Sequence, residues 1–264
     1  MQKQHFRTVW LSDIHLGHKD CKAEFLLDFL NHVRIDTLYL VGDIVDMWEM
    51  SKRLLWPESH NQLLHRLLTL TAQGTQVIYL PGNHDAPVQK YDGLSFADIG
   101  IRRELIHTTA DGKRLLVLHG DQFDEEVCFG RLHAWIGDKA YDLLLFVNRW
   151  YNKARIALGG RYWSLAGHIK SKVRSANIAM QRYRQACVDA AVSRGLDGVV
   201  CGHIHHAEVT DVDGTLYCND GDWLESCCAL TENHRGELQI LSWTSVKRPN
   251  ILYAVENTPT RKVA

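Results

Sequence analysis

Apolar positions along the chain follow two rhythms. Short dense runs at Thr8–Leu11, Thr37–Val41, Gln76–Leu80, Arg114–Leu118, Gly198–Cys201, Thr215–Cys218 and Glu237–Trp243 read as strands. Between the first three, apolar residues recur every three or four positions over Cys21–Val33 and Glu58–Ala72. That spacing predicts helices with one buried face. The β-α-β-α-β order implies parallel strands joined by helical crossovers. From Glu125 to Arg194 the pattern turns helical, free of Pro, with a break at Gly159-Gly160. Short strands follow, and the polar stretch Thr258–Ala264 is expected to fray.

Composition narrows the class. The 264 residues are 45% hydrophobic and 23% charged, which fits a folded globular protein and excludes disordered and collagen-like chains. Seven cysteines, an odd number with no C-x-x-C pair, argue against a disulfide framework or a cysteine zinc site. They are expected to be buried thiols of a reducing cytoplasm. No apolar run approaches the length of a membrane span, and Val9-Trp10-Leu11 is far too short for a signal-peptide core.

The net charge of −1 hides an asymmetry. Residues 131–194 hold 12 basic and 3 acidic side chains, and the rest of the chain holds 18 and 28. The basic segment also carries Trp135, Tyr141, Phe146, Trp150, Tyr151, Tyr162, Trp163 and Tyr183. Such a segment beside an acidic body points to an anionic partner.

The chemistry sits where strands end. The blocks are Ser12-Asp13-Ile14-His15, Gly42-Asp43-Ile44-Val45-Asp46, Gly82-Asn83-His84-Asp85, His119-Gly120-Asp121 and Gly202-His203-Ile204-His205. In α/β sheets ligands bind beyond the carboxyl ends of strands, so these side chains should meet on one rim. Oxygen and imidazole donors together suit Mn²⁺, Fe²⁺ or Zn²⁺. Taken singly, Asp13 or Asp43 could be a helix N-cap and His119 a core histidine. Capping, however, does not call for histidine at the other strand ends.

In order and content these blocks resemble the calcineurin-like metallophosphoesterases, over Thr8 to His205 outside the helical segment. The resemblance implies an α/β fold, a four-layer α/β/β/α sandwich. It would form one domain over 1–264, with a helical lid inserted at 125–195. It implies two divalent cations, with Mn²⁺ the first expectation and Fe²⁺ or Zn²⁺ the alternatives. Asp13, His15, Asp43 and His205 would ligate one cation; Asp43, Asn83, His119 and His203 would ligate the other, with Asp43 bridging. A hydroxide shared between the cations would attack phosphorus, with Asn83 and His84 contacting substrate. His84 would act on the transition state or leaving oxygen, and Asp85 would fix its tautomer. Asp46 and His206 are the next candidates.

The lid position and the segment Asn219-Asp220-Gly221-Asp222-Trp223 are similar to the UDP-2,3-diacylglucosamine pyrophosphatases of lipid A synthesis. That resemblance implies cleavage of a sugar-nucleotide lipid to UMP and 2,3-diacylglucosamine 1-phosphate. It places the chain in the cytoplasm, in peripheral contact with the anionic inner face of the inner membrane. Arg149, Lys153, Arg155, Lys170 and Arg174 would bind phosphates. The G-N-H-D block carries His84 where the best-known members of that group have Arg. The alternatives are another nucleotide or phospholipid-type phosphodiester and, less in keeping with the pattern, a nuclease. No obligatory protein partner is inferred.

Overall fold

The structure is a computed structural model that describes residues 3–124, 131–160, 162–170, 174–244 and 250–254, with side chains undescribed at 131–142, 167, 170, 174–175 and 250–254. Strand β1 (Gln4–Leu11) leads through helix α1 (Ala23–His32) to β2 (Val33–Val41). Helices α2 (Met47–Lys52) and α3 (Glu58–Ala72) then precede β3 (Gln76–Leu80). Short strands β4 (Ser95–Phe96), β5 (Ile99–Ile101) and β6 (Glu104–Thr108) lead to β7 (Arg114–Leu118). Three helices follow: α4 (Arg131–Ala157), α5 (Leu165–Lys170) and α6 (Arg174–Val192). The chain continues through β8 (Gly198–Cys201), β9 (Glu208–Val212), β10 (Thr215–Asn219), β11 (Cys228–Glu232), β12 (Leu238–Ser242) and β13 (Asn250–Ala254).

Two mixed sheets result. One has the order β13-β12-β11-β1-β2-β3-β5-β4 and the other β6-β7-β8-β10-β9. The β1–β2 and β2–β3 pairs are parallel, as the crossover pattern requires. The pairs β7–β8 and β8–β10 are also parallel, but in the second sheet. Strands β1 and β2 begin four residues before the dense apolar runs. Their first halves alternate buried Phe6, Val33 and Ile35 with exposed His5, Arg34 and Asp36. Only their second halves are covered on both faces.

Three apolar layers hold these pieces together. Leu26, Phe29 and Leu30 of α1, with Leu63, Leu67 and Leu70 of α3, pack on the outer face of the first sheet. Between the sheets, Trp10, Tyr39, Val41 and Leu80 meet Leu115, Val117, Val200 and Cys218. On the far side, Tyr183, Cys187, Val188 and Ala191 of α6 cover Leu116, Leu118, Val199 and Tyr217. The order is helix, sheet, sheet, helix. Helix α6, inside the 125–195 stretch expected as an inserted lid, supplies the fourth layer. Helices α4 and α5 are joined by buried amides. Asn148 Oδ1 accepts the Leu165 N–H (2.9 Å), and Asn152 Oδ1 accepts the Trp163 N–H (2.9 Å). The six described cysteines form no disulfide with one another, and five of them are buried; Cys128 lies outside the described residues.

Candidate metal centre

Backbone hydrogen bonds bring the strand-end loops together. Asp13 N–H donates to Gly42 O (3.0 Å) and His15 N–H to Asp43 O (2.8 Å), so the first two loops continue the pairing of their strands. Gly202 N–H donates to His119 O (3.1 Å), which joins the loops of the second sheet. The sheets are tied to each other by His203 N–H, which donates to Asp13 Oδ2 at 2.9 Å.

Asp13, His15, Asp43, His203 and His205 all have positive φ, between 50° and 69°. Non-glycine residues rarely occupy this region, and such strain gathers at functional sites. At Gly82 any Cβ would collide with the Asp43 carboxylate and the His119 ring. Only glycine lets this backbone pass so close to the ligands.

The side chains form two adjacent triads, Asp13–His15–His205 and Asp43–His119–His203, each with its ligand atoms within 4.8 Å of one another. Asp43 Oδ2 stands 3.4 Å from His119 Nε2 and 3.8 Å from His15 Nε2, so it faces both groups. Asn83 Oδ1 is 3.3 Å from His119 Nε2. The seven residues expected as metal ligands therefore converge on one rim.

The donor chemistry fits cations. His119 Nδ1–H donates to Val41 O (2.8 Å) and His15 Nδ1–H to Asp46 Oδ2 (2.9 Å), which leaves each Nε2 lone pair turned inward. Asp13 Oδ1 and His15 Nε2 are buried and make no hydrogen bond. Asp13 Oδ1 stands 3.0 Å from His205 Nε2 and 3.8 Å from His15 Nε2, and a cation held among these atoms would satisfy the hydrogen-bonding capacity that burial leaves unmet. The electrostatics agree. Burial alone would raise the Asp13 carboxyl, yet His205 and His15 hold it well below the usual range. Burial would lower His15, yet Asp13, Asp46 and Asp43 raise it to about 10. His119 is likewise raised, against burial, chiefly by Asp43. The same carboxylate charge that holds protons on these imidazoles would attract a cation, which binds by displacing those protons.

His84 lies beside the rim. Its Nδ1–H donates to Asp46 Oδ1 (2.9 Å), and its N–H to Asp43 Oδ1 (2.8 Å). The expected role of Asp85 is corrected here. Its fully buried carboxylate accepts Gly82 N–H (2.6 Å), Ile44 N–H (2.8 Å) and the Tyr79 hydroxyl, so it braces the loops and does not orient His84. Burial and the charge on Asp43 push its carboxyl up. The orienting carboxylate is Asp46, which serves His84 and His15 with separate oxygens and also caps α2 through Glu49 N–H (2.8 Å).

Sequence reasoning missed Trp48. This half-exposed indole stands edge-on to His84 at 5.3 Å between ring centroids, with Lys52 Nζ 3.2 Å from the centroid of its face. No sequence signal separates such a ring from a core one. Among the basic residues expected to bind phosphates, Arg149 has its Nε 3.5 Å from the buried Asp20 Oδ1, on the loop that carries Asp13 and His15. Lys153 sits over Trp150 (5.0 Å), and Arg155 donates to the Tyr151 hydroxyl (3.5 Å). The side chains of Lys170 and Arg174 lie outside the described residues. The Asn219–Trp223 segment braces the first loop: Trp223 N–H donates to Asp13 O (3.0 Å), and Asp220 accepts the Ser12 hydroxyl (2.6 Å).

Comparison with known proteins gives a consistent picture. A family model, calcineurin-like phosphoesterase, matches residues 6–207. A UDP-2,3-diacylglucosamine hydrolase of Photorhabdus laumondii is 25% identical over 80% of this chain and 88% of its own. One from Tolumonas auensis is 25% identical over 81% and 88%. Among solved structures, the phosphoesterase Yfce from E. coli is 14% identical with a TM-score of 0.47, covering 94% of this chain and 97% of that one.

Proposed function

The chain belongs to the calcineurin-like phosphoesterase family, and from that footing we propose that it cleaves the pyrophosphate of UDP-2,3-diacylglucosamine to UMP and 2,3-diacylglucosamine 1-phosphate. As a family member it is a metal-dependent phosphoester hydrolase. The observation that carries the reaction type is the pair of adjacent triads with Asp43 facing both, in the first of which the buried Asp13 Oδ1 and His15 Nε2 make no hydrogen bond.

Asp13, His15 and His205 would hold one cation and Asn83, His119 and His203 the other, with Asp43 facing both. When bound, two divalent ions, Mn²⁺ first among them, supply electrophilic stabilisation of the phosphoryl oxygens and a water acidic enough to attack near neutral pH. The chain's own residues do the rest. Asp46 orients the His84 ring through Nδ1–H, so Nε2 faces the site, where in its protonated form it would donate to a phosphoryl or leaving-group oxygen. Asn83 and the backbone of the Gly82 turn set the floor of the site, with Asp85 holding that turn in place.

Two observations support the lipid substrate. The relatives from Photorhabdus and Tolumonas are named for it and match most of both chains. On α4, Leu143, Phe146, Val147 and Trp150 leave an exposed apolar stripe beside Arg149, whose guanidinium reaches the rim loop. A stripe of that kind suits acyl chains, with Arg149, Lys153, Arg155, Lys170 and Arg174 near the phosphates and an anionic membrane surface. Among the described residues no helix is long and apolar enough to cross a membrane. This reading places the enzyme in the cytoplasm, in peripheral contact with the inner membrane.

The test is product analysis with Mn²⁺-loaded protein and UDP-2,3-diacylglucosamine. UMP and the lipid monophosphate are expected in equal amounts. Cleavage of an aryl phosphodiester without release of UMP would reject the lipid substrate and keep the phosphoesterase.

A further inference from the structure

A second cluster of ligating groups lies at the other end of the first sheet. His5 of β1, Asp36 of β2 and His234, in the turn after β11, bring their ligand atoms within 4.8 Å of one another. His5 Nε2 is 2.6 Å from Asp36 Oδ1, His234 Nε2 is 2.9 Å from Asp36 Oδ2, and the imidazole centroids are 4.6 Å apart. The rim stands beyond the far end of β1, eight residues from His5, or about 25 Å at roughly 3.3 Å per residue. The two clusters share no residue.

We propose that His5, Asp36 and His234 form a surface binding site for one divalent d-block ion of the zinc type, separate from the rim. Three features carry this. First, the ligands come from neighbours in the order β11-β1-β2, so strand pairing fixes their backbones before any ion arrives. The turn holding His234 is also set, because Asn233 Oδ1 accepts N–H groups from both Arg235 (2.8 Å) and Glu237 (3.1 Å). Second, the side chains are 41 to 51% exposed, so an ion reaches them without any opening of the fold. Ligand atoms around a tetrahedral ion with bonds of about 2.0–2.1 Å stand about 3.3–3.4 Å apart, so each imidazole would draw back by about 0.4–0.8 Å from the carboxylate oxygen it now meets, a change that exposed side chains can make. Third, the donor set is selective. Two imidazoles and one carboxylate favour Zn²⁺, Cu²⁺ or Ni²⁺ over Mg²⁺ and Ca²⁺. Lys3, Arg34 and Arg66 line the adjoining cavity with His5 and Asp36. Their positive charge lowers the affinity for every divalent ion, so the binding must come from the imidazoles and the Asp36 carboxylate. The ion displaces the protons that the imidazoles share with Asp36 and takes a water as its fourth ligand.

The experiment is elemental analysis after equilibration with buffered Zn²⁺, comparing wild type, Asp36→Asn and His234→Ala. Wild type is expected to hold one Zn²⁺ per chain more than either variant. Both variants should turn over an aryl phosphodiester at the wild-type rate, which shows that they are folded with the rim intact. The same one-ion difference should persist on an Asp43→Ala background, so it stands or falls apart from the rim. Equal Zn²⁺ content in wild type and either variant would overturn the site and leave the cluster as a pair of ion-paired histidines.

Discussion

Asp46 divides its carboxylate between a metal-ligand imidazole and the imidazole expected to meet the substrate. His84→Ala should therefore keep both metals and lose about 10²–10⁴ in rate, the usual range for general acid–base groups. Asp46→Ala should do more: it should lower the rate and also weaken metal loading, by about 10–100-fold in affinity, because His15 loses its orienting partner. Rate and metal content measured on both variants check the contrast. Asp85→Ala should behave as a stability variant. It orphans the Gly82 and Ile44 N–H groups, at about 1–3 kcal/mol for each buried donor, read as a lower urea midpoint. Sequence reasoning favoured Asp85 because it adjoins His84 in the chain. In a sharp strand-end turn, successive side chains point in different directions. Asp46 was only a next candidate because no helix was read after it; in the fold its carboxylate caps α2 and holds an imidazole as well.

At the level of elements, the strands that carry the rim blocks and helices α1 and α3 were legible because their apolar runs are long or their periodicity is clean, whereas the short α2 was not. Strand β11 was not. Its Cys228-Ala229 start lacks a β-branched signature, and Glu232 reads as a surface residue. It is instead a central strand, and Glu232 is a buried hub. The carboxylate accepts Arg7 (2.8 Å), Thr8 (2.6 Å), the Ala110 N–H (2.7 Å) and His107 (3.1 Å). Burial would raise this carboxyl, but His107, Thr8 and Ala110 hold it below its ordinary value of 4.5. Its contribution to stability is therefore fully present above about pH 4.5 and is lost as pH falls through the lower folded-state value. Unfolding midpoints of wild type and Glu232→Gln should differ near neutral pH and converge in acid. A constant difference at all pH values would remove Glu232 from the acid response. Helix α6 was legible as a helix, but its place in the fold was not. Its basic charge matches the rest of the basic stretch, and nothing in that charge tells a helix covering a sheet from one standing over a site.

For the whole molecule, the rim exists only because two sheets face each other. Asp13, His15, Asp43 and Asn83 come from one sheet, and His119, His203 and His205 from the other. The blocks were readable in the sequence because each follows its strand without a gap. Which sheet each strand joins was not readable, since β7 and β8 look like β1 and β2 along the chain. Asp43 is where the halves meet, facing His15 on its own sheet and His119 across the gap. The most direct measurement is metal content and aryl phosphodiesterase rate of Asp43→Ala beside wild type. The expected result is loss of both rim metals and of turnover in a chain that still folds. Full metal occupancy in that variant would contradict a shared two-metal centre built on Asp43.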